Sequence, residues 1–83
     1  MSIYEFHLLT EDEQLHQLWS NGMYIGKRRH HDYTYILFQL DAFYVELSYR
    51  KYRTQLCRVH CTRSTNILDP YLHFVEVEVL ANY

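Results

Sequence analysis

The chain has 83 residues, 48% of them hydrophobic and 17% aromatic, with a formal charge of −2, enough for one hydrophobic core and too short for two domains. Nine Tyr, four Phe and one Trp at so small a net charge exclude a disordered chain, which carries few aromatics and a large charge. The longest apolar runs, Tyr35–Phe38 and Ala42–Val45, fall far short of the roughly 20 residues of a membrane-spanning helix, and the segment from Met1 to Glu5 has neither the basic nor the apolar part of a secretory signal; a cytoplasmic protein with no membrane partner is the expectation.

In chain order, Ile3 to Leu8 alternate, with Tyr4, Phe6 and Leu8 on one face and Glu5 and His7 on the other, which predicts a first strand. Thr10-Glu11-Asp12-Glu13 matches a capping box, in which the Thr hydroxyl accepts from the Glu13 amide and the Glu13 carboxylate reaches back. A helix over Glu11 to Ser20 follows, packing through Leu15, Leu18 and Trp19, with Asn21-Gly22 as a left-handed stop. From Met23 the period becomes two, with turn-like breaks near His30-His31-Asp32, Asp41-Ala42 and Tyr52-Arg53-Thr54, the pattern of an antiparallel meander.

Tyr33 to Leu40 is apolar on both faces, so it reads as a central strand covered by the helix on one side and partly covered on the other, where a partner could sit. The Asp41-Ala42 turn lacks the Asp-Gly of a tight hairpin, so a longer or less regular loop is expected. Phe43 to Lys51 is a strand with Phe43, Val45, Leu47 and Tyr49 on one face and Tyr44, Glu46, Ser48 and Arg50 on the other. The next strand, Gln55 to Arg63, places Cys57, Val59 and Cys61 inward and Leu56, Arg58, His60 and Thr62 outward. Asp69 is a candidate N-cap with Pro70 at the first helical position. Phe74 to Leu80 alternates Val75, Val77 and Val79 with Glu76 and Glu78, which favours a last strand over a continued helix.

Charge is segregated along the chain. Residues 1–26 hold Glu5, Glu11, Asp12 and Glu13 and no Lys or Arg, a charge of −4; residues 27–63 hold all eight Lys and Arg against Asp32, Asp41 and Glu46, +5; residues 64–83 carry Asp69, Glu76 and Glu78, −3. The strand register turns Tyr44, Arg50, Tyr52, Arg58 and His60 outward together, beside Lys27, Arg28, Arg29, His30 and His31 on the neighbouring hairpin. Arg28, Arg29, Tyr44, Arg50, Tyr52, Arg58 and His60 are therefore the candidate binding residues. Tyr and Arg suit a protein interface, since both bury large area while keeping a polar end. Rings among cations also suit single-stranded nucleic acid, although a pI of 6.3 speaks against a dedicated nucleic-acid binder.

No residue set supports catalysis or a cofactor. On a strand, Cys57 and Cys61 stand about 13 Å apart with His60 on the opposite face, which suits neither a disulfide nor a shared zinc ion. His7, His16, His30, His31, His60 and His73 are scattered without a spaced nucleophile or carboxylate. Arg58 or His60 could face Glu76 or Glu78 across strands as a structural ion pair. Two glycines cannot build a phosphate-cradling loop. A pocket between helix and sheet is the remaining small-molecule reading, and a normally filled core would oppose it.

The stretch from Tyr35 to Tyr49, centred on Phe38-Gln39-Leu40-Asp41-Ala42-Phe43-Tyr44-Val45-Glu46, followed by Ser64-Thr65 and Leu68-Asp69-Pro70-Tyr71-Leu72, resembles small bacterial single-domain proteins of uncharacterised function. That resemblance implies a bacterial, cytoplasmic, stand-alone domain and brings no catalytic residue. The expected fold is α+β: a curled antiparallel meander of four to five strands packed against one N-terminal amphipathic helix, with a short second helix or helical turn near the C-terminus. The expected role is non-enzymatic protein interaction, with a protein partner or a second copy of the chain, and nucleic acid as the alternative; neither a metal nor a cofactor is expected.

Overall fold

The computed structural model describes residues 1–50 and 55–72. Two helices, α1 (Ile3–His7) and α2 (Glu11–Asn21), precede four strands, β1 (Met23–His30), β2 (Tyr33–Leu40), β3 (Phe43–Arg50) and β4 (Leu56–Thr62), and a 3-10 helix at Thr65–Leu68 that runs on as a helical turn over 69–72. The strands form one antiparallel meander in the order β1-β2-β3-β4. The α+β class, the meander, the capped N-terminal helix and the helical turn near the C-terminus agree with the sequence reading. The expected Tyr52-Arg53-Thr54 turn and the Phe74 to Leu80 strand lie outside the described residues.

The predicted first strand is instead α1. Ser2 Oγ accepts from the Glu5 amide at 3.1 Å and the Glu5 carboxylate accepts from the Ser2 amide at 2.9 Å, a second capping box three residues into the chain. Both boxes hold Glu5 and Glu13 below the ordinary carboxylate range, because each carboxylate accepts from its own cap residue. The buried spacing is helical: Phe6 is fully buried, Ile3 and Leu9 pack partly against the same cluster, and Tyr4 and Leu8 are exposed. Period three therefore overrides the apparent Tyr4-Phe6-Leu8 alternation.

The helix α2 ends differently from the expected left-handed stop. Gly22 is extended, with φ −77°, and its amide donates to Leu18 O at 3.0 Å. What requires glycine is closeness, since a Cβ there would lie 2.6 Å from Leu18 O. Leu18 is buried and Leu15 partly so, but Trp19 is largely exposed and meets the buried Phe38 ring edge-on, centroids 5.4 Å apart.

Both described hairpins are tight. His30 pairs with Tyr33 and Leu40 with Phe43, and the first loop residue of each, His31 and Asp41, sits in the left-handed region at φ 54° and 53°. The longer Asp41-Ala42 loop expected from the missing glycine does not form, because Asp tolerates that conformation and full strand pairing on both sides closes the turn. The helical segment near the C-terminus starts earlier than Asp69: Ser64 is its cap, accepting from the Asn66 amide at 3.2 Å, and Asp69 is itself helical at φ −54°, ψ −49°.

Residues opposed across antiparallel strands share a face. On the helix side, Phe6 and Leu18 meet Phe38, Leu40, Phe43, Val45 and Leu47, with Ile36, Tyr49, Leu56, Val59 and Cys61 packed at the margin. The register shift between Ser48 and Tyr49 makes Cys57 an extra residue in β4. This bulge reverses the expected pattern locally: Leu56 joins the core side, whereas Cys57 is exposed.

Candidate functional site on the second sheet face

The face turned away from α2 carries the feature that sequence reading missed. Glu46 and Ser48, placed by the alternation on the face away from the core, are buried. Over Glu46 lies Tyr71, from the turn over 69–72, whose hydroxyl donates to Glu46 Oε2 at 2.6 Å. Arg28 Nη2 lies 3.5 Å from the same oxygen. The Arg28 guanidinium also stands 4.1 Å from the Tyr35 ring centroid and 5.4 Å from that of Tyr71, close enough for attraction to both ring faces.

Gly26 explains why Tyr71 fits. A Cβ at that position would meet Tyr71 Cδ1 at 3.2 Å, so the bare backbone of β1 seats the ring. The register sets Leu37 between Gly26 and Glu46, which accounts for its complete burial on a face that no α-helix of the N-terminal half covers. The chain thus closes part of the second side of β2 with its own tyrosine. Burial first, and then the bond to Glu46, push the Tyr71 phenol far above its ordinary value, so this hydroxyl remains a donor throughout the physiological range.

Of the seven candidate binding residues, Arg28, Tyr44, Arg50, Arg58 and His60 do share this face through the pairs Arg28–Tyr35, Tyr35–Ser48, Tyr33–Arg50, Gln39–Tyr44, Ser48–Arg58 and Glu46–His60. Arg29 pairs with Thr34 and points to the opposite face, because adjacent strand residues alternate. Tyr52, like Glu76 and Glu78, lies outside the described residues; the acid opposed to His60 in the described sheet is Glu46. Two open cavities adjoin here. One, about 340 Å³, is lined by Arg28, Glu46, His60 and Thr62 together with the residues that lead into the helical turn, and the other, about 310 Å³, by Tyr33, Tyr35, Ser48, Cys57 and Arg58 around the shared Glu46 and His60.

The bulge also redistributes the cysteines. Cys57 and His60 share the second face while Cys61 stays on the core side, the reverse of the expected grouping. Among the described residues no three His, Cys, Asp or Glu side chains converge as a metal site, both thiols are free, and no helix is long and apolar enough to cross a membrane. Burial pushes the Cys61 thiol up to about 11, leaving about a thousandth of it as reactive thiolate at pH 8. Iodoacetamide at pH 8 should therefore label Cys57 first and Cys61 only on unfolding, which peptide mass spectrometry would read; equal labelling of both in the native protein would contradict this placement.

A different surface feature lies at the other edge of the sheet. Trp19, Met23 and Tyr24 are 65%, 67% and 58% exposed, and Trp19 and Tyr24 each meet Phe38 edge-on, at 5.4 and 6.0 Å between centroids. Trp19 and Tyr24 form an aromatic shoulder where α2 passes into the edge strand β1, and Met23, opposite Gln39, adjoins it from the other face. No protein-family model, curated protein or solved structure matches the chain.

Proposed function

We propose that the protein is a non-enzymatic interaction module that binds a second copy of itself through the shoulder formed by Trp19 and Tyr24, with Met23 at its margin. The observation that carries this reading is that cluster. Two large aromatic side chains stand more than half exposed, edge-on to one buried ring, with the exposed Met23 next to Tyr24, at a strand that has no second neighbour among the described residues, and Trp, Tyr and Met are residues that interface centres concentrate. Glu11, Asp12 and Glu13 on α2 and Lys27 and Arg29 on β1 form no ion pair among the described residues, so the two elements that carry the cluster also carry charges of both signs. A net charge of −2 opposes self-association only weakly, and a domain this small gains proportionally from burying more surface.

Sedimentation equilibrium tests the proposal. The expected result is a dimer at micromolar concentration that Trp19→Ser weakens by about 30-fold or more, the loss of one interface anchor, while Arg58→Ala on the opposite face leaves it unchanged. A strict monomer up to high micromolar concentration overturns it. A second reading, single-stranded nucleic acid on the other face, is supported by the Tyr33 and Tyr35 rings, 6.3 Å apart, in line with Arg50, Arg58 and His60. That reading requires salt-sensitive oligonucleotide binding.

A further inference from the structure

We propose that the cavity beneath the helical turn on the second sheet face binds a small oxyanion-bearing molecule, a phosphate ester or a carboxylate, through Arg28, His60, Thr62, Ser64 and Asn66. These residues and Glu46 line a cavity of about 340 Å³, with Ile67 and Pro70 as its apolar wall, a size within the range of small-molecule sites.

Donors dominate its lining. Thr62 Oγ1 accepts from the Ser64 amide at 3.1 Å and Ser64 Oγ accepts from the Asn66 amide at 3.2 Å, so each hydroxyl uses an oxygen lone pair within the fold and keeps its proton to donate. His60 and the side-chain amide of Asn66 add further N–H groups. Arg28 makes one long contact to a carboxylate, 3.5 Å to Glu46, in place of a paired fork, and its Nε is buried with no hydrogen-bond partner among the described residues. Glu46, the one acid of the lining, is already engaged by Arg28 and by the Tyr71 hydroxyl. An excess of hydrogen-bond donors beside an incompletely paired guanidinium is the chemistry that recognises an oxyanion. The site lies on the opposite side of the sheet from the self-association shoulder and does not depend on it.

The ¹⁵N-labelled protein titrated separately with inorganic phosphate, ribose 5-phosphate and malate, each against sodium chloride at matched ionic strength, tests the proposal. The expected result is saturable shifts of the His60, Thr62, Ser64 and Asn66 amides in the phosphate arms or the malate arm, which tells ester from carboxylate. Ser64→Ala and His60→Ala, each checked for retained fold by circular dichroism, should weaken that binding about tenfold or more, as for loss of one charge-assisted hydrogen bond, and Trp19→Ser should leave it unchanged. The proposal is overturned if no small anion gives saturable shifts beyond the chloride control up to about 20 mM, a concentration well above a millimolar dissociation constant. It is equally overturned if binding ignores both substitutions, or if a deoxythymidine decamer shifts these amides while the free anions do not.

Discussion

Replacing Glu46 with Ala should destabilise the protein by about 2 to 4 kcal/mol, toward the lower part of what breaking a buried ion pair costs, because Arg28 keeps some access to solvent. The substitution strips Arg28 of the one carboxylate it reaches among the described residues and leaves the Tyr71 hydroxyl buried without its acceptor. Tyr71→Phe should cost less, about 1 to 3 kcal/mol, since the ring keeps its seat over Gly26 and only the hydroxyl goes. Combined, the two should cost less than their sum, because they remove the same bond. Urea unfolding of the two single variants and the double variant measures this cycle; additive effects, or a Glu46→Ala loss within about 0.5 kcal/mol as for an ordinary surface site, would show that the three residues do not act as a network.

This network also bears on what the second face is for. A carboxylate and a guanidinium taken partly out of water gain little net stability over apolar residues of similar shape. Burying Arg28 with its Nε unpartnered among the described residues makes the arrangement less favourable still as a purely structural device. A fold selected for stability alone would do as well with apolar side chains at positions 28 and 46. Keeping charge there is consistent with a face that meets a charged ligand, which is the chemistry inferred for the adjoining cavity.

How much of this was legible in the sequence follows from which signals are local. The α2 helix was readable because its capping box, acidic first turn and Leu15-Leu18 spacing agree with one another, and β2 and β3 because eight-residue alternating or apolar runs lie between turn residues. The bulge at Cys57 was not, since one extra residue in a strand leaves no mark in composition, and it exchanged the faces of Leu56 and Cys57. Nor was the burial of Glu46: it is imposed by Tyr71, 25 positions away, and no local pattern links the two. Two clues did exist. Gly26, alone inside a strand pattern, signals close approach of another group, and the two-sided apolar character of β2 indicates a cover for its second face, which proves to be partly the chain itself. Of the candidate residues, those placed by strand alternation alone, Arg28, Tyr44, Arg50, Arg58 and His60, fall on one face, and Arg29 could not join its neighbour Arg28 there for the same reason.

The first element, a helix where alternation predicts a strand, carries the sharpest stability contrast. Ser2-Ile3-Tyr4-Glu5 has the same Ser/Thr-x-x-Glu form as Thr10 to Glu13, so a helix signal was present and was outweighed by a five-residue alternation. A five-residue helix has no stability of its own; α1 persists because Phe6, 0% exposed, inserts beside Phe43 with ring centroids 5.5 Å apart, and because Gln14 Nε2 donates to Phe6 O at 3.0 Å. Phe6→Ala should therefore cost about 3 to 5 kcal/mol, a large part of the roughly 4 to 12 kcal/mol available to a domain of this size, and should free α1 from the sheet. Leu8→Ala should stay within about 0.5 kcal/mol, as at an exposed site. A strand with Tyr4, Phe6 and Leu8 on its buried face would make Leu8 nearly as costly as Phe6. Thermal unfolding of the two variants separates the cases: comparable losses at both positions would restore the strand, whereas a loss confined to Phe6 fixes the helix and its docking as the element that closes the core.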